Sequence, residues 1–368
     1  MFTRTFLFLL VASLLAASCR DKVGPVDPPG GPPSSTSDEG MGRLVYNAGD
    51  IRVRDGLGPV TLIDSIGSFI RNLQATLPSV NTSGVWSCGD GRFVWIAVDT
   101  TWPNGVNDVV VTNNAGTLNS IVYQDSGDAL VAFPIISPDG SHVAILMRGG
   151  APAGSRRLLV MTLQSSGDSV VAVDPHFVST FVAQAAIPCF SPDGTRIAFL
   201  DNSGSDQWGN LVVSTIDGSS ATTIATHVIG GGDLGLWTVD WSKFNKLAFT
   251  DGGLVRVMNS DGSSPILIDT GVIPTWSPDG KTLAYSSSSS SVGGDIMLTS
   301  DLGATKINLT NDALNNAFAS WSPDGKKIVY TQNFTSTIDV TPSIVSINIA
   351  THSKKTLAAS GYFPIWLR

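Results

Sequence analysis

One short pattern recurs along most of the chain and constrains the fold more than any other feature. An apolar residue precedes a serine at Trp86-Ser87, Ile136-Ser137, Phe190-Ser191, Trp241-Ser242, Trp276-Ser277 and Trp321-Ser322, and Trp366-Leu367 resembles a last copy. Successive copies lie between 35 and 54 residues apart. A repeat of this length is typical of arrays built from one small structural unit, such as the blades of a propeller.

The segment after each serine identifies the unit as a set of short strands. The tetrapeptide SPDG occupies residues 137–140, 191–194, 277–280 and 322–325. Its proline presets the first corner of a tight turn, its aspartate bonds local amides, and its glycine takes the left-handed backbone conformation. Asn245 stands at the glycine position of one copy, and asparagine tolerates that conformation better than most residues. The copy at residues 87–92 carries one extra residue.

Each copy reads as four strands, which makes the predicted fold an all-β propeller. In the copy that begins at Trp276, segments such as KTLAYSS, DIMLTS and TKINLT follow the turn. Residues 43–64 match strands two to four of a blade, and residues 362–368 match a first strand. We therefore predict seven blades over residues 43–368, closed where the C-terminal strand joins the N-terminal blade. Six or eight blades are the alternatives, depending on the copy near Trp86 and the segment after Asp64.

The recurring aromatic residues are predicted to pack between blades. Repeated aromatic side chains at one strand position mostly bury apolar area. We call the apolar residue before each repeated serine the anchor. Proline stands two residues before the anchor in several copies. Because proline cannot donate to a strand ladder, its presence suits an innermost strand. The predicted blade-packing residues are Trp86, Phe190, Trp241, Trp276, Trp321 and Trp366.

The N-terminus has the pattern of an export signal. Arg4 precedes an apolar run that is too short to span a bilayer, and small residues lead to Cys19. We predict a signal peptide over residues 1–18 and lipid attachment at Cys19, which resembles a bacterial lipobox. A plain secreted protein cleaved near Ser18 is the alternative. Residues 19–42 are rich in Pro, Gly and Ser and are predicted to be a tether.

The composition limits the classes of partner that the protein is expected to bind. The net charge is −8 and 14% of the residues are charged, so the surface repels phosphate backbones and nucleic-acid binding is not expected. Cys88 and Cys189 occupy the same part of two different repeats, and we expect two buried free thiols rather than a disulfide.

The repeat also carries a family resemblance. WSPDGK, followed by LAY or IVY and a short third strand, resembles the propeller repeat of TolB and of prolyl-oligopeptidase-type peptidases. The TolB resemblance covers residues 43–368 and implies a periplasmic propeller that binds partners, although a tether stands where TolB-type proteins carry an α/β domain. The peptidases need a hydrolase domain, and no GxSxG nucleophile motif occurs in the chain.

The sequence offers little for a catalytic centre. The chain resembles oligogalacturonate lyases in fold, and that resemblance implies histidines clustered around a metal. Of the four histidines, His176 and His227 are placed in loops on one face, and His142 and His352 on the other. Residues 201–210 contain oxygen ligands but lack the closing glutamate of a calcium loop. We expect no metal site, no catalytic residues and no cofactor.

The remaining prediction concerns shape. Long, variable segments at residues 98–108, 148–157, 201–210, 286–295 and 332–343 lie on one predicted face. Binding usually occurs where a rigid scaffold presents irregular loops, which makes Trp102, Trp208 and Phe334 the candidate partner-binding residues. The sequence predicts a non-enzymatic lipoprotein of the bacterial cell envelope, with the outer membrane favoured, that binds protein or glycan. A polysaccharide lyase or other glycan-cleaving enzyme is the alternative.

Overall fold

The computed structural model describes residues 43–47, 60–64, 69–72, 80–89, 91–99, 106–124, 130–148, 156–166, 169–179, 186–201, 208–229, 237–287, 294–312, 314–334 and 341–367. The regular structure of these residues is β, apart from one short helical turn at Asp301–Gly303. None of them forms a helix long and apolar enough to cross a membrane. The predictions for the signal peptide, Cys19, the tether and Trp102 fall on residues outside this set.

The strands are short and follow one another closely. In chain order they are β1 (Arg43–Asn47), β2 (Val60–Asp64), β3 (Phe69–Asn72), β4 (Val80–Gly89), β5 (Arg92–Asp99), β6 (Val106–Asn113), β7 (Asn119–Gln124), β8 (Leu130–Ile136), β9 (His142–Arg148), β10 (Arg156–Ser166), β11 (Ser169–Ser179), β12 (Ala186–Ile187), β13 (Cys189–Phe190), β14 (Arg196–Asp201), β15 (Trp208–Thr215), β16 (Ala221–Ile229), β17 (Trp237–Trp241), β18 (Lys246–Asp251), β19 (Leu254–Asn259), β20 (Ile266–Thr270), β21 (Val272–Trp276), β22 (Thr282–Ser286), β23 (Ile296–Ser300), β24 (Thr305–Asn308), β25 (Asn316–Trp321), β26 (Lys327–Gln332), β27 (Ser343–Asn348), β28 (Lys354–Ala358) and β29 (Tyr362–Trp366).

The described strands form seven sheets, numbered here in chain order. Sheets two to seven begin with β4, β8, β13, β17, β21 and β25, and each is built mainly from consecutive antiparallel strands. Sheet one is a composite of β1, β2 and β3 with the last strand, β29. The first strand of each sheet contacts the first strand of the next, and β29 contacts both β25 and β4. The prediction of an all-β propeller is confirmed.

The first and last described strands pair with each other in sheet one. Strand β29 pairs antiparallel with β1, where Leu44 lies opposite Trp366 and Val45 lies opposite Ile365. The backbone amide of Leu367 also donates to the carbonyl of Arg43 at 2.8 Å. Residues 43–64 supply two strands of this sheet rather than the three predicted, because the remaining strand is β3. Only two of the four residues of β3 are apolar, a pattern too short to reveal a strand.

Sheet four departs from the others at its inner edge. Its first strand is split by Pro188, so that Cys189 pairs with Ala198 while Ala186 pairs in parallel with Trp237 of sheet five. Proline has no amide hydrogen to donate to a ladder, which is consistent with a break at this residue.

The repeated turns have the conformation that the sequence predicts. In each SPDG turn the glycine amide donates to the serine carbonyl, and the φ angles of these glycines are 69° or 70°. The serine hydroxyl also donates to the turn aspartate, as from Ser277 to Asp279 at 2.6 Å. Asn245 takes φ 57° in the divergent turn and makes the same backbone bond to Ser242. The substitution of asparagine for glycine therefore preserves the turn.

The repeated aromatic residues lie between sheets. Trp276 packs in a cluster with Val255 and Ile268 of sheet five and with Leu283 and Tyr285 of its own sheet. Trp321 and Trp366 occupy the same place at the next two junctions. The exposed fractions of the described members of the set are 5% for Phe190, 6% for Trp241, 6% for Trp276, 7% for Trp321 and 1% for Trp366. Trp86 lies in β4, and its side chain is outside the described part of the structure.

Candidate functional site

Several innermost strands contain a bulky residue in a strained backbone conformation. Phe133, Ile273, Phe318 and Phe363 have φ angles of 48°, 57°, 57° and 51°. Side chains with a Cβ rarely adopt this region, and for a β-branched residue it is an outlier. The strand register shifts at each of these residues, which identifies them as β-bulges. Strained residues of this kind cluster at functional sites.

Two of the four bulges are held by buried threonines of the neighbouring sheet. The amide of Ile273 donates to the hydroxyl of Thr250, and the amide of Phe363 donates to the hydroxyl of Thr331, both at 3.2 Å. Both threonines are fully buried. The rings of Phe318 and Phe363 pack edge to face, with centroids 4.5 Å apart. The bulged side chains are therefore held in place rather than free to rotate away.

Three of the four bulged residues help to line a cavity of about 430 Å³ between the innermost strands. Its walls come from the second half of the innermost strands, including Ile273, Phe318 and Phe363. The turns after the first strands contribute Pro138, Pro192, Lys243 and Pro278. The cavity therefore lies at the end of the channel where the short turns are, and we call it the short-turn cavity. Its volume is within the range that small-ligand sites occupy.

One acidic residue is present among the described residues that line this cavity. Asp240 immediately precedes the anchor Trp241 and is half-buried. Its carboxylate accepts the amide of Trp241 at 2.9 Å and the amide of Trp276, in the next sheet, at 2.6 Å. Ser320 makes the equivalent contact two junctions further on, between sheets seven and one, where its hydroxyl accepts the amide of Trp366 at 3.0 Å. A polar side chain at this position therefore connects neighbouring innermost strands.

Neither residue that the structure describes among the proposed partner contacts lines the short-turn cavity. Trp208 begins β15 and is 45% exposed, and the edge of its ring meets His227 at a centroid distance of 5.8 Å. Phe334 follows β26, is half-buried, and packs against Phe318 with centroids 5.0 Å apart. The structure does not bring Trp208 and Phe334 together at one described site. The long segments that carry them lie largely outside the described residues.

Cys189 forms no disulfide, as expected, but its side chain is half-buried rather than buried. It lines the short-turn cavity, with its sulfur 3.9 Å from an oxygen of Asp240. The difference arises because Cys189 precedes the anchor Phe190. The side chain of Cys189 lines the cavity, whereas the anchor side chain is buried. Cys88 lies in β4, and its side chain is outside the described residues.

Two histidines lie in outer strands rather than in loops. His176 is in β11 and His227 is in β16. The ring nitrogens of His176 lie 2.9 Å from the carbonyl oxygen of Asp174 and 2.6 Å from that of Ile216 in sheet four. Both nitrogens must donate in this geometry, so the ring bonds best as a cation. Ile216 follows β15 in a short turn, which places His176 on the same side as His142 and corrects the predicted separation.

The electrostatic environments of these two histidines differ. Burial opposes a charge on His176, but the hydrogen bonds to Ile216 and Asp174, with the nearby carboxylates of Asp174 and Asp217, raise its pKa above the ordinary value. Burial lowers the pKa of His142, and the neighbouring His176 contributes in the same direction while Asp139 opposes it. The hydrogen bond from His176 to sheet four therefore favours the protonated ring.

Replacement of His176 by glutamine should weaken the junction of sheets three and four in a pH-dependent way. Because the folded pKa is raised, the stabilisation is complete below the unfolded pKa of about 6.5 and is lost as pH rises through the folded pKa. We expect the variant to be less stable by about 0.5 kcal/mol near pH 6 and nearly equal to wild type near pH 8.5. Denaturant melts of both proteins at the two pH values measure this difference. A difference independent of pH would contradict a cationic contact.

The histidines do not form a metal centre in the part of the chain that the structure describes. No three His, Cys, Asp or Glu side chains lie together there in a way that could hold a metal ion. Both ring nitrogens of His176 face backbone carbonyl oxygens, at 2.9 and 2.6 Å, so neither is directed at a metal site. Asp201 ends β14, and the rest of the candidate calcium loop up to residue 207 lies outside the described residues.

Comparison with known proteins gives similarity in fold. No family model matches the chain, and no curated protein matches it. Crystal structures do match. TolB from Acinetobacter baumannii has a TM-score of 0.52 and 14% identity, covering 89% of this chain and 83% of that one.

Other similar structures belong to different functional classes. An oligogalacturonate lyase in complex with manganese has a TM-score of 0.55 and 14% identity, covering 87% of this chain and 86% of that one. The β-propeller domain of the Trilobed protease from Pyrococcus furiosus, described as having an open velcro topology, has a TM-score of 0.51 and 10% identity, covering 76% and 85%. The described histidines do not fit a manganese site, so the likeness to the lyase is one of fold.

Sequence reasoning missed the short-turn cavity and the bulged residues around it. A signal was available, since a bulky residue precedes proline at Phe133, Ile273 and Phe363. The pattern does not show that the backbone at these residues is left-handed, and that conformation places their side chains. With the strand repeat, the sheet order and the similar structures together, the chain has a TolB-like β-propeller fold.

Proposed function

We propose that the protein is a non-enzymatic binding protein of the bacterial cell envelope that holds its ligand in the short-turn cavity. The sequence supports envelope localisation through the export signal at residues 1–18, the lipobox-like Cys19 and the tether that follows. The lipid would hold the protein to a membrane, with the outer membrane favoured. The tether would keep the propeller away from the bilayer, in the periplasm or at the cell surface.

The ring that we propose has seven blades and is closed by sheet one. The pairing of β29 with β1 and the contacts of β29 with β25 and β4 support this arrangement. A closed ring leaves no exposed sheet edge along the channel and gives the cavity a continuous wall. The ligand would then meet a rigid surface, which limits the entropy lost on binding.

The short-turn cavity is the observation that carries this function. Concave, mostly apolar sites with a few polar groups are where small ligands and side chains bind. Here the apolar part comes from bulged residues held at strained backbone angles, and the polar part from Asp240 and its neighbours. Strain that persists at several positions around one cavity indicates that the cavity is maintained for use. The ligand can be a small molecule or a side chain of a protein partner.

A cavity-filling substitution tests this function. Thr275 lines the cavity and is half-buried, so Thr275→Phe should occupy the space. Ligand-observed NMR with 2-phenylethanol, a neutral aromatic probe, should show binding to wild type and at least about tenfold weaker binding to the variant. Thr223→Phe is the matched control, since Thr223 is exposed on the outer strand β16. Equal binding to wild type, Thr275→Phe and Thr223→Phe, or no binding to any of them, would reject the cavity as the site.

A further inference from the structure

The geometry points to an organic cation with an apolar body as the ligand of the short-turn cavity, with its positive charge held by Asp240. This inference rests on the proposed function and names the class of ligand. The candidates include an amine or a quaternary ammonium compound, free or carried by a partner's side chain. The inference depends on the charge of Asp240, on the positions equivalent to it, on the location of Lys243 and on the aromatic walls.

The carboxylate of Asp240 has capacity left for a ligand. It accepts two backbone amides, from Trp241 and Trp276, and the thiol of Cys189 at 3.9 Å, whereas an ionised carboxylate has about four acceptor positions. No Lys, Arg or His of the described residues lies within ion-pair distance of it. Charges in apolar surroundings are normally paired. A half-buried carboxylate in an apolar wall therefore favours a cation over a neutral or anionic ligand.

The other sheets show that the structural role of this position needs no charge. The equivalent residues in the described sheets are Ile135, Cys189, Thr275, Ser320 and Ile365. Ser320 supports the next strand with a neutral hydroxyl, at 3.0 Å from the amide of Trp366. A hydroxyl is thus sufficient for the connection between strands. The negative charge at residue 240 is surplus to that connection and is available for recognition.

The one basic residue among the described lining residues does not neutralise Asp240. Lys243 is exposed in the turn after β17, and its ammonium lies 5.4 Å from the centroid of the Phe244 ring. Its positive charge acts on the carboxylate of Asp279, in the corresponding turn of the next sheet. Lys243 therefore interacts with Phe244 and Asp279, and no described ion pair joins it to Asp240.

The walls around Asp240 suit the body of such a ligand. Phe318 and Phe363 face the cavity from the bulges. Trp241 and Trp276 border it, but their rings are 6% exposed and pack between sheets, and the guanidinium of Arg196 lies 4.8 Å from the Trp241 ring centroid. Aromatic rings attract cations through their quadrupole, and the attraction strengthens when water is excluded. A carboxylate combined with aromatic walls selects for a cation that also carries apolar surface. A small hydrated cation would gain little from these walls.

A matched pair of probes measures the charge preference. Phenethylamine and 2-phenylethanol have the same aromatic body and differ in the charged group. We expect wild type to bind phenethylamine at least about tenfold more tightly, as for a charge-assisted hydrogen bond inside a protein. In Asp240→Ser this preference should fall to about twofold or less, because the loss of the carboxylate weakens binding of phenethylamine far more than binding of 2-phenylethanol. Serine is chosen because Ser320 shows that it can support the neighbouring strand.

A second variant keeps the test decisive if Asp240→Ser does not fold. Ser320→Asp, in an otherwise wild-type chain, adds a carboxylate at the equivalent position of sheet seven and should increase the preference for phenethylamine. Combined with Asp240→Ser, it should restore that preference. If 2-phenylethanol binds but phenethylamine has no advantage, or if the advantage survives in Asp240→Ser, the cation inference is overturned and the cavity remains the site. If neither probe binds wild type, the proposed function fails as well.

Discussion

Trp321→Ala should lower the free energy of unfolding by about 3–5 kcal/mol, the usual cost of removing a large aromatic side chain from a core. The ring is 7% exposed and packs with Ile296 and Leu298 of sheet six as well as with Ile328 and Tyr330 of sheet seven. Its indole nitrogen also donates to the carbonyl of Thr275 at 3.2 Å. The substitution leaves a void at the junction of two sheets and removes a hydrogen bond between them.

Trp208→Ala is the matched control for this prediction. Trp208 is 45% exposed, so its removal should change stability by no more than about 0.5 kcal/mol. Chemical denaturation of both variants, followed by circular dichroism, gives the two values. The difference between them separates tryptophans that join sheets from tryptophans that lie on the surface. Equal losses in the two variants would show that the anchor tryptophans do not hold the sheets together.

The repeat predicted those features that local chemistry determines. Proline, aspartate and glycine fix the turn after each first strand, and the φ of 57° at Asn245 shows that the same rule holds when glycine is replaced. The buried anchors follow from the same repeat, because a large apolar side chain at one position of every copy must pack in the same place. These inferences need only the residues themselves and their neighbours in sequence.

The location of the candidate site could not be predicted in this way. The long loops made Trp208 and Phe334 the candidate binding residues, but the length of a loop does not reveal where a cavity lies. The short-turn cavity depends on left-handed bulges at residues such as Ile273, whose amide bonds Thr250 of the preceding sheet. That bond joins residues of different copies, so no single copy contains the information. The same reason explains why the contact between His176 and Ile216 was missed.

Asp240 illustrates what a repeat analysis can still recover. Alignment of the copies on the anchor residue shows one charged side chain where the described equivalents are Ile, Cys, Thr or Ser. A departure of this kind is visible in the sequence. The sequence does not show what this departure means, because it does not reveal that the position faces a cavity or that Lys243 makes no ion pair with Asp240 among the described residues.

A disulfide between residues 45 and 365 should form readily and stabilise the fold by about 4 kcal/mol, since it closes nearly the whole chain into one loop. Val45 and Ile365 lie directly opposite each other in the β1–β29 pair. Opposed residues of antiparallel strands have Cα atoms about 4.5–5.5 Å apart, which is within the range that disulfides span. Val45→Cys and Ile365→Cys would be made in a chain whose own cysteines are replaced by serine.

The control pair joins residues that do not face each other. Thr356 is exposed in β28 of sheet seven and pairs with Val345, so Val45→Cys with Thr356→Cys should remain reduced in the folded protein. Each single-cysteine protein reports whether its substitution alone perturbs the fold. Non-reducing mass spectrometry gives the extent of cross-linking, and thermal denaturation with and without reductant gives its effect on stability.

The central claim is that the last strand completes the first sheet and so closes the channel around the short-turn cavity. The most direct test is the extent of the 45–365 disulfide in the folded protein, measured together with its effect on the melting temperature. The account predicts nearly complete cross-linking and a higher melting temperature that reductant reverses. A folded protein in which these two cysteines stay reduced, or form a bond that leaves the melting temperature unchanged, would contradict it.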